Sequence, residues 1–172
     1  MAISWVIVKG FSLIEMMICL GLMGALGSGV VVGLGYWQAH AQMTSQIEWL
    51  QQDIFLSQQK ARAAESEVVL CASKTGKRCG SDWSAGRLAY TIINGHKEKL
   101  FFHQFRIKKA QWQWRSSLGK NDRLIFKPSG DNLGQQGSFY YIPLYYKVTF
   151  TRRIIINQLG RVYVRSGQVK EN

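Results

Sequence analysis

The sequence predicts an α+β fold: one long N-terminal helix followed by a head of antiparallel β-sheet. Three observations carry that expectation. Residues 11–37 form a nearly unbroken apolar run. Residues 38–64 turn polar but keep an apolar stripe at helical spacing, with no Gly or Pro to interrupt it. After Glu65, short β-prone segments alternate with turn residues. One helix followed by many strands is the α+β pattern, with the sheet packed on the C-terminal half of the helix.

A helix over 11–37 would be about 40 Å long at 1.5 Å per residue, enough to cross a bilayer. Gly21, Gly24, Gly27, Gly29, Gly33 and Gly35 punctuate it, and Gly29/Gly33 have the GxxxG spacing that lets membrane helices pack closely. No Gly-Lys-Ser/Thr follows these glycines, which excludes a phosphate-binding loop. Glu15 is the one carboxylate of the run. An ionised group there costs about 2.5–3.5 kcal/mol at mid-bilayer and less near an end.

Three readings of the N-terminus compete. A secretory signal peptide would explain "AHA" at 39–41, but the apolar stretch is about twice the usual 7–15 residues. An ordinary membrane anchor, oriented outward by Lys9, leaves Glu15 without a reason. The third rests on Gly10-Phe11-Ser12-Leu13-Ile14-Glu15, which resembles the processing site of type IV prepilins and pseudopilins. The resemblance implies a leader at 1–10, cleaved between Gly10 and Phe11 by a prepilin peptidase that then N-methylates Phe11. The leader is apolar apart from Lys9, where such leaders commonly carry more charge. Cleavage would place a new ammonium at Phe11, one helical turn from Glu15. In a packed filament, Glu15 of one subunit can then pair with the Phe11 amine of its neighbour, and the low dielectric penalises any carboxylate left unpaired.

The amphipathic stripe runs Met43, Ile47, Leu50, Ile54, Ala61, Ala64 and is expected to line the core of the head. Strands are expected at 67–72, 87–93, 99–105, 110–114, 123–127, 138–142, 146–150, 153–157 and 161–165. Turn residues separate them, including Asn94-Gly95, Pro128-Ser129-Gly130 and Gln136-Gly137. In 110–114, Trp112 and Trp114 alternate onto one face.

Cys71 and Cys79 enclose "ASKTGKR", with Gly76 available for a turn. The spacing suits a disulfide across a hairpin-like loop, worth about 2.5 kcal/mol by the chain-entropy argument. Such a bond implies an oxidising compartment. A zinc site would need two further ligands, and His96 and His103 stand apart in the sequence. Cys19, inside the apolar run, reads as a small hydrophobe.

"VVLCASKTGKRC", "DWSAGRLAY", "LIFKPSG", "GSFYY" and "INQLGRVYV" follow one another along the chain. With the N-terminal motif, this order resembles the GspH/FimT family of pseudopilins and type IV minor pilins. The signs are the cysteine hairpin, a Trp-x-x-Gly, a Phe-x-Pro-x-Gly and a closing Gly-Arg hairpin. The resemblance implies a type IV pilin-like fold with a transmembrane and assembly helix at 11–37 and a periplasmic globular domain at 38–172. It also implies a single-pass inner-membrane protein, N-terminus cytoplasmic, that assembles with other minor pilins or pseudopilins.

Lys9 and Glu15 are the only charges before Gln38, so the whole excess of +12 lies in 38–172. A head this basic attracts polyanions, nucleic acid or acidic head groups. In "GRVYVR", Arg161, Tyr163 and Arg165 share one face of a strand, with Val162 and Val164 on the other, inward face. Arg152, Arg153, Lys147 and Lys170 add to the patch. Arginine holds phosphate through charge-assisted hydrogen bonds, and Tyr offers a stacking surface for a base. The family resemblance implies DNA binding for uptake through a Gly-Arg-x-Arg motif near the C-terminus. Here Tyr163 holds the second arginine position, and Arg165 stands two residues further on the same face. The competing reading is a hairpin whose arginines make surface salt bridges or touch neighbouring subunits.

No catalytic set assembles from the sequence. His40, His96 and His103 have no carboxylate or cysteine at ligand or triad spacing, and the acidic residues are scattered singly. No catalytic residue, metal or cofactor is expected. Two functions remain: a minor type IV pilin that binds double-stranded DNA, and a type II secretion pseudopilin with a purely structural role.

Overall fold

The computed structural model describes residues 12–93, 95–105, 110–117, 122–132, 134–144 and 152–166; for 25–33, 36 and 166 the backbone alone is described. Gly10, Phe11, Lys147, Lys170 and the segment 146–150 lie outside the described residues. Among the described residues, one α-helix, α1 (Leu13–Ala63), precedes eight strands: β1 (Val68–Ala72), β2 (Gly86–Ile93), β3 (His96–Gln104), β4 (Ala110–Ser116), β5 (Arg123–Phe126), β6 (Gly137–Pro143), β7 (Arg152–Ile156) and β8 (Val162–Ser166). The chain divides into two compact units between Gln42 and Met43.

In the first unit, the amides of Glu15 and Met16 donate to the Ser12 carbonyl at 3.0 and 3.2 Å. Ser12 is therefore the residue that opens α1. Glu15 lies in the first turn, where the unpaired amides and the helix dipole favour a carboxylate. Its side chain is exposed, as are Leu13, Ile14, Met17 and Met23 along the same stretch. Among the described residues no helix is long and apolar enough to cross a membrane.

The second unit is built on the amphipathic part of α1. Met43, Ile47, Leu50, Ile54 and Ala61 are all buried in one cluster, as the stripe requires. The gap between Ile54 and Ala61 is filled by Ser57, also buried, whose hydroxyl donates to the Asp53 carbonyl at 2.7 Å. That back-bond satisfies a polar group inside the stripe. Ala64, expected in the stripe, is exposed because the helix has already ended. The amide of Ser66 donates to Ala61 O and that of Glu65 to Arg62 O, both at 3.3 Å, and Glu65 takes φ +47°. This is the six-to-one and five-to-two bonding of a Schellman end, with a glutamate where glycine is usual.

The strands form two four-stranded antiparallel sheets, β3-β2-β1-β5 and β4-β6-β7-β8. Val68, Leu70, Leu124 and Phe126 of the first sheet and Trp112, Trp114, Phe139, Ile154 and Ile156 of the second share the core with the helix stripe. The strand pairing of Trp112 and Trp114 follows the expected alternation, and both are buried. Trp83, from the Trp-x-x-Gly turn, joins the sheets: its ring meets Phe139 edge-on at 4.8 Å, and Ser84 Oγ accepts from the Trp112 amide at 2.8 Å. β1 is buried on both faces, because a smaller cluster of Val69, Cys71, Leu88 and Tyr90 covers its far side. The Cys71–Cys79 disulfide, with Cα atoms 5.6 Å apart, closes the loop over that cluster.

Candidate nucleic-acid interface

Strand alternation and register decide where each basic residue points. In the second sheet, Ile154 and Ile156 of β7 face the core, so Arg153 and Ile155 face away from it. Residues directly opposite across an antiparallel pair share a face. Arg153 is opposite Tyr140 on one side and Arg165 on the other, and Tyr140 is opposite Gln113. The neighbouring row is Arg115, Ser138, Ile155 and Tyr163. Asn157 continues β7, and its amide donates to Arg161 O at 3.1 Å while the Arg161 amide donates to Asn157 Oδ1 at 2.8 Å. Arg161 thus extends the face carrying Tyr163 and Arg165.

The outward face is a sheet surface with Arg115, Arg153, Arg161 and Arg165 around Tyr140 and Tyr163. The guanidinium carbons of Arg115 and Arg153 sit 5.2 and 5.5 Å from the Tyr140 ring centre. Arg153 Nε also donates to Ser138 Oγ at 2.8 Å, which fixes its plane. A groove of about 400 Å³ runs between them, lined by Arg115, Ser117, Ser138, Tyr140, Arg153 and Asn157 among others. Among the described residues the ion pairs are Arg87–Asp53 and Arg123–Asp122, His103 Nδ1 also contacts Asp53, and none of these involves this face. Arg153 and Arg165 stand directly opposite, a like-charge pairing that is destabilising in a sheet.

Two expectations are revised, and two residues join the face. Arg152 does not share the outward face with Arg153; one residue earlier on β7, it alternates onto the core side with Ile154. Val162 packs against the core, but Val164 on the edge strand is 36% exposed, so only one of the two valines is covered. Arg115 and Tyr140 were not expected at the site. Alternation in 110–116 and 137–143 places them outward, but only the strand order brings them beside Arg153.

A buried Asp53–Arg87 ion pair, with the exposed His103 at its edge, also lies outside what the sequence suggested. Asp53, on the helix stripe, accepts from Arg87 Nε, and its other oxygen is 2.7 Å from His103 Nδ1. Arg87 is fully buried with its guanidinium 4.2 Å from the Phe105 ring centre, and burial pushes its pKa down while Asp53 opposes that shift. Asp53 between the buried Leu50 and Ile54 was the sequence signal for this arrangement. It ties α1 to β2 and β3.

An N-terminal helix whose amphipathic part is clasped by antiparallel sheets is the architecture of type IV pilins. Among solved structures, the chain is similar to the type IV minor pilin FimU of Pseudomonas aeruginosa, with a TM-score of 0.60 at 18% identity, covering 75% of this chain and 92% of that one. A second crystal form of the same pilin gives a TM-score of 0.56 at 18% identity, covering 71% and 91%. The likeness shows a shared fold. No family model and no curated protein matches the sequence.

Proposed function

We propose that this chain is a minor subunit of a type IV pilus that binds double-stranded DNA through the outward face of its second sheet. Support for the subunit half comes from the pilin fold together with the Gly10-Phe11 site and Glu15 at the head of α1. On this reading a prepilin peptidase removes 1–10, the 11–37 segment holds the chain in the inner membrane, and the head is periplasmic. Glu15 then pairs with the Phe11 amine of a neighbouring subunit.

The observation that carries the DNA half is the row Tyr140, Arg153, Arg165, flanked by Arg115, Arg161 and Tyr163 on one solvent face. Phosphates neutralise the opposed arginines, and Tyr163, 46% exposed, supplies a flat surface beside them. Arg152, on the other side of the sheet, takes no part; Lys147 and Lys170 are additional cations of the chain. A mobility shift of the full chain in detergent micelles with a DNA duplex tests this. Binding should weaken steeply with salt, and Arg153→Gln with Arg165→Gln should lower the slope of log affinity against log salt by about 2. No shift at low salt would remove the DNA role and favour the secretion pseudopilin. Mass measurement of the mature chain tests leader removal and methylation at Phe11.

A further inference from the structure

The first sheet also presents a basic outward face, at the disulfide loop. Its inner face is fixed by Leu70, Ala89 and Leu124 in the core, so Cys71, Leu88 and Tyr90 mark the outer one. Across β3, the register sets Lys99 opposite Tyr90 and Lys97 opposite Ile92, so both lysines share that outer face. Lys97 Nζ lies 4.3 Å from the Tyr90 ring centre, and the Tyr90 hydroxyl is 4.0 Å from Cys79 Sγ. The loop that returns through Cys79 displays Lys74, Lys77 and Arg78, all exposed.

This loop is held at three points. Cys71–Cys79 closes it. Ser73 Oγ donates to Arg78 O at 2.7 Å and accepts from the Gly76 amide at 3.0 Å. Gly76, at φ +71°, sits on the Phe102 ring so closely that a Cβ would come within 2.7 Å of it. The three cations are therefore presented by a preorganised backbone, which lowers the ordering cost of binding. None of the ion pairs among the described residues involves Lys74, Lys77, Arg78, Lys97 or Lys99.

We infer that this surface is a second contact for the phosphate backbone of duplex DNA, separate from the arginine face of the other sheet. Two features favour a nucleic-acid backbone over a lipid surface. Between Ser73 and Cys79 the loop has no large apolar side chain to insert among acyl chains, as interfacial membrane binding requires. Its cations are two lysines and an arginine with no exposed aromatic among them, a set suited to sequence-independent phosphate contacts rather than base readout. The inference rests on the DNA reading above.

The test is a salt titration of duplex binding by the full chain in detergent micelles, for the parent, for Lys74→Gln/Lys77→Gln/Arg78→Gln, and for Arg153→Gln/Arg165→Gln. The loop variant should bind at least about tenfold more weakly at low salt, and its slope of log affinity against log salt should shrink by about 2–3. Lys74→Arg/Lys77→Arg, which keeps the charge, should restore both. An unchanged slope in the loop variant, with the Arg153/Arg165 variant still weakened, overturns this inference and leaves the proposed face standing. The reverse pattern removes the arginine face and keeps the loop. A parent chain that binds no duplex removes both. Loop amide resonances that shift on adding phosphatidylglycerol to the micelles, with the DNA slope unchanged, assign the surface to a lipid headgroup and overturn it as well.

Discussion

The Gln58 carboxamide of α1 donates to the carbonyl of Gly160 at 2.8 Å and to that of Gly130 at 3.2 Å. One helix side chain thus ties together the Phe-x-Pro-x-Gly loop and the tip of the Gly-Arg hairpin, which are far apart in sequence. Both glycines have positive φ, +88° and +73°, and each leaves room for the group packed on it. The hairpin that carries Arg161, Tyr163 and Arg165 is therefore positioned by α1 as well as by its own strand pairing.

Gln58→Ala should destabilise the head by about 1–2 kcal/mol, because two part-buried carbonyls lose their donor. Gly160→Ala should cost about 1–3 kcal/mol: the residue would be strained at φ +73°, and its Cβ would meet Gly130 O at 2.6 Å as well as Gln58. Urea unfolding of the two variants and their double mutant checks both values. Strong non-additivity is expected, since the two changes loosen the same junction.

Asp53→Ala should cost about 3–5 kcal/mol, by leaving the buried Arg87 guanidinium without its counter-charge. Burial already lowers the Arg87 pKa, so the charge is held in place chiefly by this carboxylate. Replacing both partners, Asp53→Leu with Arg87→Met, should recover most of the loss, because the desolvation penalty disappears with the pair. Denaturant midpoints for the single and double variants decide it; a double variant as unstable as Asp53→Ala would contradict this account.

The parts that local pattern determines were legible in the sequence, and those set by long-range register were not. Met43, Ile47, Leu50 and Ile54 were readable as the buried stripe because helical spacing and apolarity suffice. Asp53 broke the stripe, and nothing local named Arg87 or His103 as its partners, since they sit on other strands. Trp112 and Trp114 alternate inward within one strand, and Arg161, Tyr163 and Arg165 alternate outward within another. Arg152 and Arg153 are adjacent in sequence, which in a strand is the arrangement that separates them. Arg115 and Tyr140 joined the face only through the order β4-β6-β7-β8, which turn residues do not specify.

Glu65→Gly should stabilise the head by about 0.5–1 kcal/mol. Glu65 holds φ +47° at the end of α1, a left-handed conformation that a side chain disfavours and glycine accepts. The gain is reduced by the extra freedom glycine brings to the unfolded chain. Thermal unfolding should show a higher midpoint for the variant, and an unchanged or lower midpoint would contradict the strain at this residue.

Removing the disulfide by Cys71→Ala with Cys79→Ala should cost about 2–3 kcal/mol, set by closure of a short loop in the unfolded chain. The loss appears in urea unfolding under oxidising conditions and vanishes when parent and variant are compared in reductant.

Tyr141 sets the last expectation, which concerns alkaline pH. Its ring is buried against Trp112 at 5.1 Å, and burial raises the phenol pKa above its ordinary value of 10. The unfolded chain therefore ionises Tyr141 before the folded head does. In that interval the folded state holds the extra proton, so stability falls as pH rises. The contribution is complete below about pH 10 and is lost as pH climbs through the higher folded-state pKa. Tyr141→Phe removes the titrating group and keeps the ring. Compared with the parent by urea unfolding at neutral pH and again above pH 10, the variant should lose less stability on going alkaline. Equal losses in the two proteins would place the alkaline sensitivity elsewhere.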